Sequence, residues 1–207
     1  IEANLLLPLR LLQLGKENGA KYFINTDTVL DKRVSHYSLS KKQFIEWLKT
    51  YKDMICVNIA LEHFYGPGDD KTKFISYVFD QLYSNVPSID FTLGEQLRDF
   101  VYIDDVVDAF VKVLNNLDKS EAAFFQYEIG TNVPVSIKNL VSYLKASLKN
   151  DATVLNFGAL PYRENEVMCS GANTADIRRL GWIPKFDWKC GIDKMVYLEK
   201  QVRSKAI

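Results

Sequence analysis

The sequence predicts an α/β fold built on a parallel sheet, and three observations carry that reading. Helix-like and strand-like segments alternate through the first 61 residues. The strand-like segments are short continuous apolar runs, the pattern of strands covered on both faces. The first of them ends in the polar run Asn25-Thr26-Asp27-Thr28, and ligands of such sheets gather beyond the carboxyl ends of the strands.

In order along the chain, residues 1–17 space Leu5, Pro8, Leu9 and Leu12, with Leu11 as a further candidate, along one helical face, and Asn18-Gly19 supplies the stop. Residues 22–25 form a short buried strand, followed by a polar stretch over residues 27–35. Residues 37–50 repeat the helical pattern with Phe44, Ile45, Trp47 and Leu48, and residues 54–61 are a second buried strand. Gly66-Pro67-Gly68-Asp69-Asp70 is a turn. A helix over residues 73–82 and short strands at 91–92 and 99–102 follow. Asp104-Asp105 opens a helix through Leu114, with its acidic groups at the positive end of the helix dipole. Residues 127–129 are a strand, Ser136 caps a helix through Leu148, and residues 153–157 are a strand. A short helix over 174–180 and a closing helix over 192–202 complete the order. A second, smaller lobe is thus expected to interleave with the sheet.

Composition narrows the function classes. The chain has 207 residues, 47% of them hydrophobic, enough for a substantial core, and a formal net charge of zero. Zero net charge gives no electrostatic case for a nucleic-acid or membrane partner. The longest apolar runs are too short to span a bilayer, and the N-terminus reads as carrying no signal peptide. Cys56, Cys169 and Cys190 are widely spaced and odd in number, which fits a reduced, cytoplasmic setting. With His36 and His63 as the two histidines, no metal site is expected.

The chemistry concentrates in Tyr37-Ser38-Leu39-Ser40-Lys41. Tyrosine and lysine four residues apart lie one helical turn apart on the same face. A free phenol has a pKa of about 10, and a nearby ammonium favours the phenolate. Such a pair suits proton transfer to or from a sugar oxygen. By itself Tyr-x-x-x-Lys is more often a surface pair with no role, and Thr26 alone is better read as a cap or turn residue.

Together, strand-tip Thr26 and the Tyr37–Lys41 pair resemble the active site of extended short-chain dehydrogenases/reductases, the NAD-dependent epimerase/dehydratase family. Further segments carry the same resemblance: Glu62-His63-Phe64-Tyr65-Gly66-Pro67-Gly68, the run Arg98-Asp99-Phe100-Val101-Tyr102-Ile103-Asp104-Asp105, Arg163, Asn173, and Leu180-Gly181-Trp182-Ile183-Pro184. Leu61-Glu62-His63, Gly94-Glu95-Gln96 and Asn165-Glu166 with Met168 look most like the CDP-abequose synthase group within it. The resemblance implies a Rossmann-type, doubly wound parallel sheet, of which this chain is the C-terminal part, plus a smaller substrate-binding lobe. Residues 1–62 would be the remainder of the dinucleotide-binding domain, with strands returning near 98–132. Residues 63–97 and 133–207 would form the nucleotide-sugar-binding lobe.

The implied activity is NAD(P)-dependent reduction of a nucleoside-diphospho-4-keto-dideoxyhexose, in the making of surface-polysaccharide sugars. Thr26, Tyr37 and Lys41 are the implied catalytic residues. Tyr37, Lys41, Glu62 and His63 would contact NADPH or NADH, and Thr26, His63, Arg98 and Arg163 the substrate. A guanidinium fork matches phosphate oxygens. Arg98 could instead pair with Asp99 or Asp104, the less favoured reading, and Arg163 nearly as well with Glu164 or Glu166. Asn4 resembles an asparagine that helps order this site. The family also implies a homodimer through the helices at 1–17 and 37–50, both richer in apolar residues than one sheet face requires.

Departures from the family pattern keep two other readings open, an epimerase of the same fold and a nucleotide-sugar-binding remnant without chemistry. No Gly-x-x-Gly-x-x-Gly phosphate loop occurs in the sequence, and by comparison with the family about the first third is expected to be missing. Thr28 stands where related dehydratases carry glutamate, which disfavours dehydration and leaves Asp27 as a solvated or capping carboxylate. The interval from Thr26 to Tyr37 is short, Ala60 replaces a common arginine, and His63 a common asparagine.

Overall fold

The structure, a computed structural model, describes residues 1–117 and 123–204. In chain order its elements are α1 (Leu7–Glu17), β1 (Tyr22–Thr28), α2 (His36–Leu48), β2 (Ile55–Leu61), β3 (His63–Tyr65), α3 (Phe74–Tyr83), β4 (Ser88–Phe91), β5 (Leu97–Arg98), β6 (Phe100–Tyr102), α4 (Ile103–Leu114), β7 (Phe124–Ile129), β8 (Val135–Ser136), α5 (Ile137–Leu148), β9 (Val154–Phe157), α6 (Ala175–Arg179) and α7 (Trp188–Ser204). They divide into two compact units. Ile1–Glu62, Asp108–Gly130 and Ala172–Ile183 form the first, and His63–Val107, Thr131–Gly171 and Pro184–Ile207 the second.

The first unit is built on a parallel sheet of order β1-β2-β7. Its central strand β2 is buried from Cys56 to Leu61, as its unbroken apolar run requires. Leu12, Phe44, Leu48, Met54 and Cys56 form the core on one side, with Leu5, Leu9 and Phe23 packed against it. The stripe Leu5-Leu9-Leu12 therefore faces inward, as its helical spacing predicts. The chain enters α1 through a wider, π-type turn at Glu2–Leu6, in which Leu5 N and Leu6 N both donate to Ile1 O at 2.8 and 3.3 Å. Asn4 lies in this turn rather than in regular helix, and such turns recur at functional sites.

Two features differ from the sequence reading. β1 continues through Asp27 and Thr28, which pair with Ala60 and Leu61, so the polar stretch begins later than expected. The ladder extends because Asp27 finds a buried partner, described below. α2 starts at His36 with Ser35 as its cap; the Ser35 hydroxyl accepts from Ser38 N, and the Ser38 hydroxyl accepts from Ser35 N, each at 3.1 Å.

The second unit gathers three small pairs, β3 with β6 and β4 with β9 in parallel, and β5 with β8 antiparallel. Pairs this short give little apolar or propensity signal, and β3, β5 and β8 escape the sequence reading for that reason. α3, α5 and α7 pack around a core that includes Tyr65, Phe79, Phe100, Tyr102, Leu140 and Met195. Ser136 caps α5 as read from sequence, accepting from Asn139 N at 3.2 Å. Asp104 and Asp105 stand in the first turn of α4. Asp105 is buried and accepts from Lys185 N and Phe186 N at 2.9 and 3.0 Å, so it also fixes the segment leading to α7. Among the described residues no helix is long and apolar enough to cross a membrane, and no group of three or more His, Cys, Asp or Glu side chains could hold a metal ion.

Candidate active site

In the first unit, Thr26 is exposed near the carboxyl end of β1, and Tyr37 and Lys41 occupy the opening turns of α2. Lys41 Nζ donates to Thr26 O at 2.6 Å and lies 5.6 Å from the centre of the Tyr37 ring. The ammonium thus joins the strand end to the phenol-bearing turn. An ammonium has three donors, so this bond leaves Lys41 able to hold further oxygens. Tyr37 is 49% exposed, and its hydroxyl has no hydrogen bond among the described residues. Glu62, the residue after β2, is buried, with its N–H on Ile129 O at 3.0 Å.

The electrostatics differ from the sequence expectation that Lys41 would lower the phenol's pKa. Partial burial pushes the Tyr37 phenol above its ordinary value, and the Asp27 carboxylate adds to the rise. Burial also lowers the Lys41 ammonium, Lys42 adds to that, and Asp27 opposes it. The determining neighbour is Asp27. It is neither solvated nor a cap: its side chain is fully buried, with Lys42 Nζ on Oδ2 at 2.6 Å.

In the second unit, His63 opens β3, half-buried, with its ring edge-on to Phe100 at 5.7 Å. Arg98 lies in β5, where Leu97 N donates to Met168 O at 2.8 Å and Ser170 N to Leu97 O at 3.2 Å. That pairing brings residues 166–170 alongside, and Arg98 is ion-paired with Glu166, with Nη1 on Leu97 O at 2.9 Å. Neither Asp99 nor Asp104 takes that role. Asp99 is buried and accepts from Thr131 N and Asn132 N, both at 2.9 Å, and from the Thr131 hydroxyl. Asp104 pairs with Lys194 at 2.7 Å. Arg163 is exposed and has no ion pair among the described residues, so neither Glu164 nor Glu166 holds it.

Comparison with known proteins decides the family. The model of the NAD dependent epimerase/dehydratase family matches residues 1–130. The chain belongs to this family. It is 37% identical over 205 residues to CDP-abequose synthase of Salmonella typhimurium (strain LT2), covering 94% of this chain and 68% of that protein. It is 36% identical over 209 residues to CDP-abequose synthase of Salmonella muenchen, covering 96% and 70%. The fold matches the UDP-glucose 4-epimerase of Thermotoga maritima, solved with UDP-glucose, at a TM-score of 0.82 and 22% identity over 97% of this chain and 71% of that one. It matches the UDP-glucuronic acid 4-epimerase of Bacillus cereus, in complex with UDP-glucuronic acid and NAD, at 0.83 and 22% over 96% and 68%.

The fold class is therefore the Rossmann-type α/β arrangement of the epimerase/dehydratase family. A nicotinamide cofactor goes with that family, and this chain's residues fit the ribose end of one. Lys41 keeps donors to spare, and the Tyr37 hydroxyl makes no hydrogen bond among the described residues. Sequence reasoning missed Lys42 and Asn58. Lys42 had a signal, since it falls on the inward stripe of α2 between buried Ser38 and Ile45, where a lysine demands a partner.

Proposed function

We propose that this chain performs the proton-transfer part of an NAD(P)-dependent reduction of a nucleoside-diphospho-4-keto-dideoxyhexose. The observation that carries the reading is the Lys41 ammonium joining Thr26 to the Tyr37 turn beyond a parallel sheet end. The likeness to two CDP-abequose synthases supports a reductase in particular. A nicotinamide cofactor, when bound, supplies the hydride that reaches the keto carbon. Tyr37 gives its phenolic proton to the keto oxygen, so that ketone becomes alcohol. Lys41 holds the nicotinamide ribose hydroxyls with its remaining donors and keeps Tyr37 oriented. The Thr26 hydroxyl donates to the reacting oxygen. These groups act on charge that develops in the transition state, where they lower the barrier most.

In this reading residues 1–62, with strands returning near 98–132, are part of the dinucleotide-binding domain, and residues 63–97 and 133–207 bind the nucleotide sugar. Glu62 and His63 border the cofactor, and His63, Arg98 and Arg163 contact the sugar nucleotide. A diphosphate on Arg98 would compete with Glu166, which holds the guanidinium now. Exposed Leu7, Leu11 and Leu14 on α1, with Leu39 and Trp47 on α2, support a homodimer through these two helices. Free Cys56, Cys169 and Cys190 suit a cytoplasmic enzyme.

The test is turnover by the full gene product with a nucleoside-diphospho-4-keto-dideoxyhexose and NADPH or NADH. Formation of one alcohol per cofactor oxidised is the expected result. Interconversion of 4-epimeric nucleotide sugars with no net cofactor consumption would replace the reading with an epimerase. Binding of the nucleotide sugar with no turnover would leave a non-catalytic remnant.

A further inference from the structure

The first unit carries a chain of polar side chains, two of them buried, that the reaction above does not use. Asn25 Nδ2 donates to Asn58 Oδ1 at 2.7 Å, and Asn58 Nδ2 donates to Asp27 Oδ2 at 3.2 Å. Lys42 Nζ donates to the same Asp27 oxygen at 2.6 Å and also to Thr28 O. Strand alternation explains the gathering. Asn25 and Asp27 share one face of β1, and Asn58 stands opposite Asn25 in register. Phe23, on that same face, packs edge-on against Phe44 of α2 at 6.0 Å, so this is the face that α2 covers.

The side chain of Asp27 is fully buried and that of Lys42 is 24% exposed. Asp27 Oδ1 is buried and has no hydrogen-bond partner among the described residues. Packing alone does not ask for this. A buried ion pair is often replaceable by apolar side chains without loss of stability. The location is the informative part. Lys41 holds Thr26 O, and Lys42 holds Asp27 and Thr28 O. Two consecutive lysines of α2 thus grip three consecutive residues of β1, one helical turn after Tyr37.

We propose that Lys42, paired with Asp27, is a positioning residue for the Tyr37–Lys41 pair: it fixes the opening turns of α2 on the end of β1 and screens the phenol from the buried carboxylate. This rests on the reading of Tyr37 as the proton donor. Asp27 is the charged neighbour that raises the Tyr37 phenol, and it acts on Lys41 as well. From the elements packed against α2, the π-type turn brings Glu2, and α1 brings Arg10, Lys16 and Glu17. None of these is among the groups acting on Tyr37 or Lys41, whereas Lys42 acts on Lys41.

The test reads the Tyr37 phenol directly and needs no turnover. The 207-residue chain is labelled with 13Cζ-tyrosine, the Tyr37 resonance is assigned with Tyr37→Phe, and its titration is followed by NMR. Lys42→Met should move the Tyr37 midpoint up by about one pH unit, Asp27→Asn should move it down, and Asp27→Asn/Lys42→Met should return it close to the parent value. Lys42→Arg should behave as the parent. A purely structural role would not produce shifts of opposite sign, nor rescue in the double variant. If Lys42→Met does not fold, Asp27→Asn and the double variant still decide. A Tyr37 midpoint unmoved by Asp27→Asn overturns the proposal. A fully active Tyr37→Phe enzyme would end the reading of Tyr37 as the proton donor while leaving these shifts in place, so the two failures are distinguishable.

Discussion

Lys41 Nζ donates to the main-chain carbonyl of Thr26 at 2.6 Å while lying 5.6 Å from the centre of the Tyr37 ring. One side chain therefore sets the distance between a strand end and a helix turn that are remote in sequence. The partner atom is a carbonyl, so the contact survives any change of the Thr26 side chain. The Thr26 hydroxyl is left for other work. In the proposed reaction that work is to donate to the oxygen that Tyr37 protonates.

Tyr37→Phe removes the proposed proton donor and little else, because the ring stays and the hydroxyl has no partner among the described residues. Turnover of the full enzyme is expected to fall on the order of 100- to 10,000-fold, with nucleotide-sugar affinity kept. Steady-state kinetics beside a binding titration separate the two. Activity within about tenfold of the parent would assign the proton to another group.

The pH dependence expected of the proposed reduction, with Tyr37 as its proton donor and Lys41 as its ammonium, follows from the direction of the shifts. Tyr37 works in its protonated form, and its pKa lies above the ordinary 10.0 through partial burial and then Asp27. Lys41 works as an ammonium, and burial first, then Lys42, lowers it from 10.5. Both groups carry their protons across the neutral range and lose them as pH rises. The rate constant for reduction should be flat through neutrality and fall only on the alkaline side. A fall between about pH 6 and pH 8 would point to a histidine as the proton donor instead.

The alternation of elements around the first sheet was legible because short apolar runs alternate with helical patterns, with β2 buried along almost all of its length. That Thr26, Tyr37 and Lys41 come together was legible through spacing and through strand-end context. Asp27 was misread because sequence shows a carboxylate beside two threonines and does not show the ammonium that enters from α2, 15 positions later. Asp99 and Asp104, the alternative ion-pair partners read for Arg98, are not the one it takes, for a similar reason. Its carboxylate, Glu166, is 68 residues away and arrives by a main-chain pairing between Leu97 and the segment 168–170. Both misses are long-range polar pairs, which local pattern does not encode.

Asp99 is a buried carboxylate that accepts from two backbone N–H groups and one hydroxyl across Thr131 and Asn132. In Asp99→Asn an amide NH2 must replace one acceptor and face an N–H donor. Leaving a buried donor unpaired costs about 1–3 kcal/mol. The midpoint of urea unfolding should drop while the slope is retained, and a midpoint equal to the parent's would show that the Thr131 turn holds itself.

Gly191 tests the core of the second unit. A Cβ there would collide with the hydroxyl of Tyr65, and that hydroxyl donates to Trp188 O at 2.9 Å. Tyr65 is 2% exposed and has no space to retreat. Gly191→Ala should destabilise by about 1–3 kcal/mol, the usual cost of overpacking. Circular dichroism would then show a thermal midpoint several degrees lower. Tyr65→Phe/Gly191→Ala should recover part of the loss, because the colliding oxygen is gone.

The proposed homodimer predicts a use for a second apolar stripe on α1. Leu5, Leu9 and Leu12 fill the core, while Leu7, Leu11 and Leu14 repeat the same spacing on another face and are exposed. On α2, Leu39 and Trp47 stand eight residues apart and are also exposed, while Phe44, Ile45 and Leu48 are buried. A helix in a monomer has no use for two apolar stripes. A two-fold contact buries both, since each copy offers the same surface. Light scattering at micromolar concentration should give the mass of a dimer. Leu11→Glu with Trp47→Glu should give the monomer with little change in far-ultraviolet circular dichroism, since neither residue lies in the core. Charge at the centre of such a contact is expelled rather than paired, so the loss should be complete and not a modest weakening. A parent chain that runs as a monomer, or a double variant that stays dimeric, would move the contact away from α1 and α2.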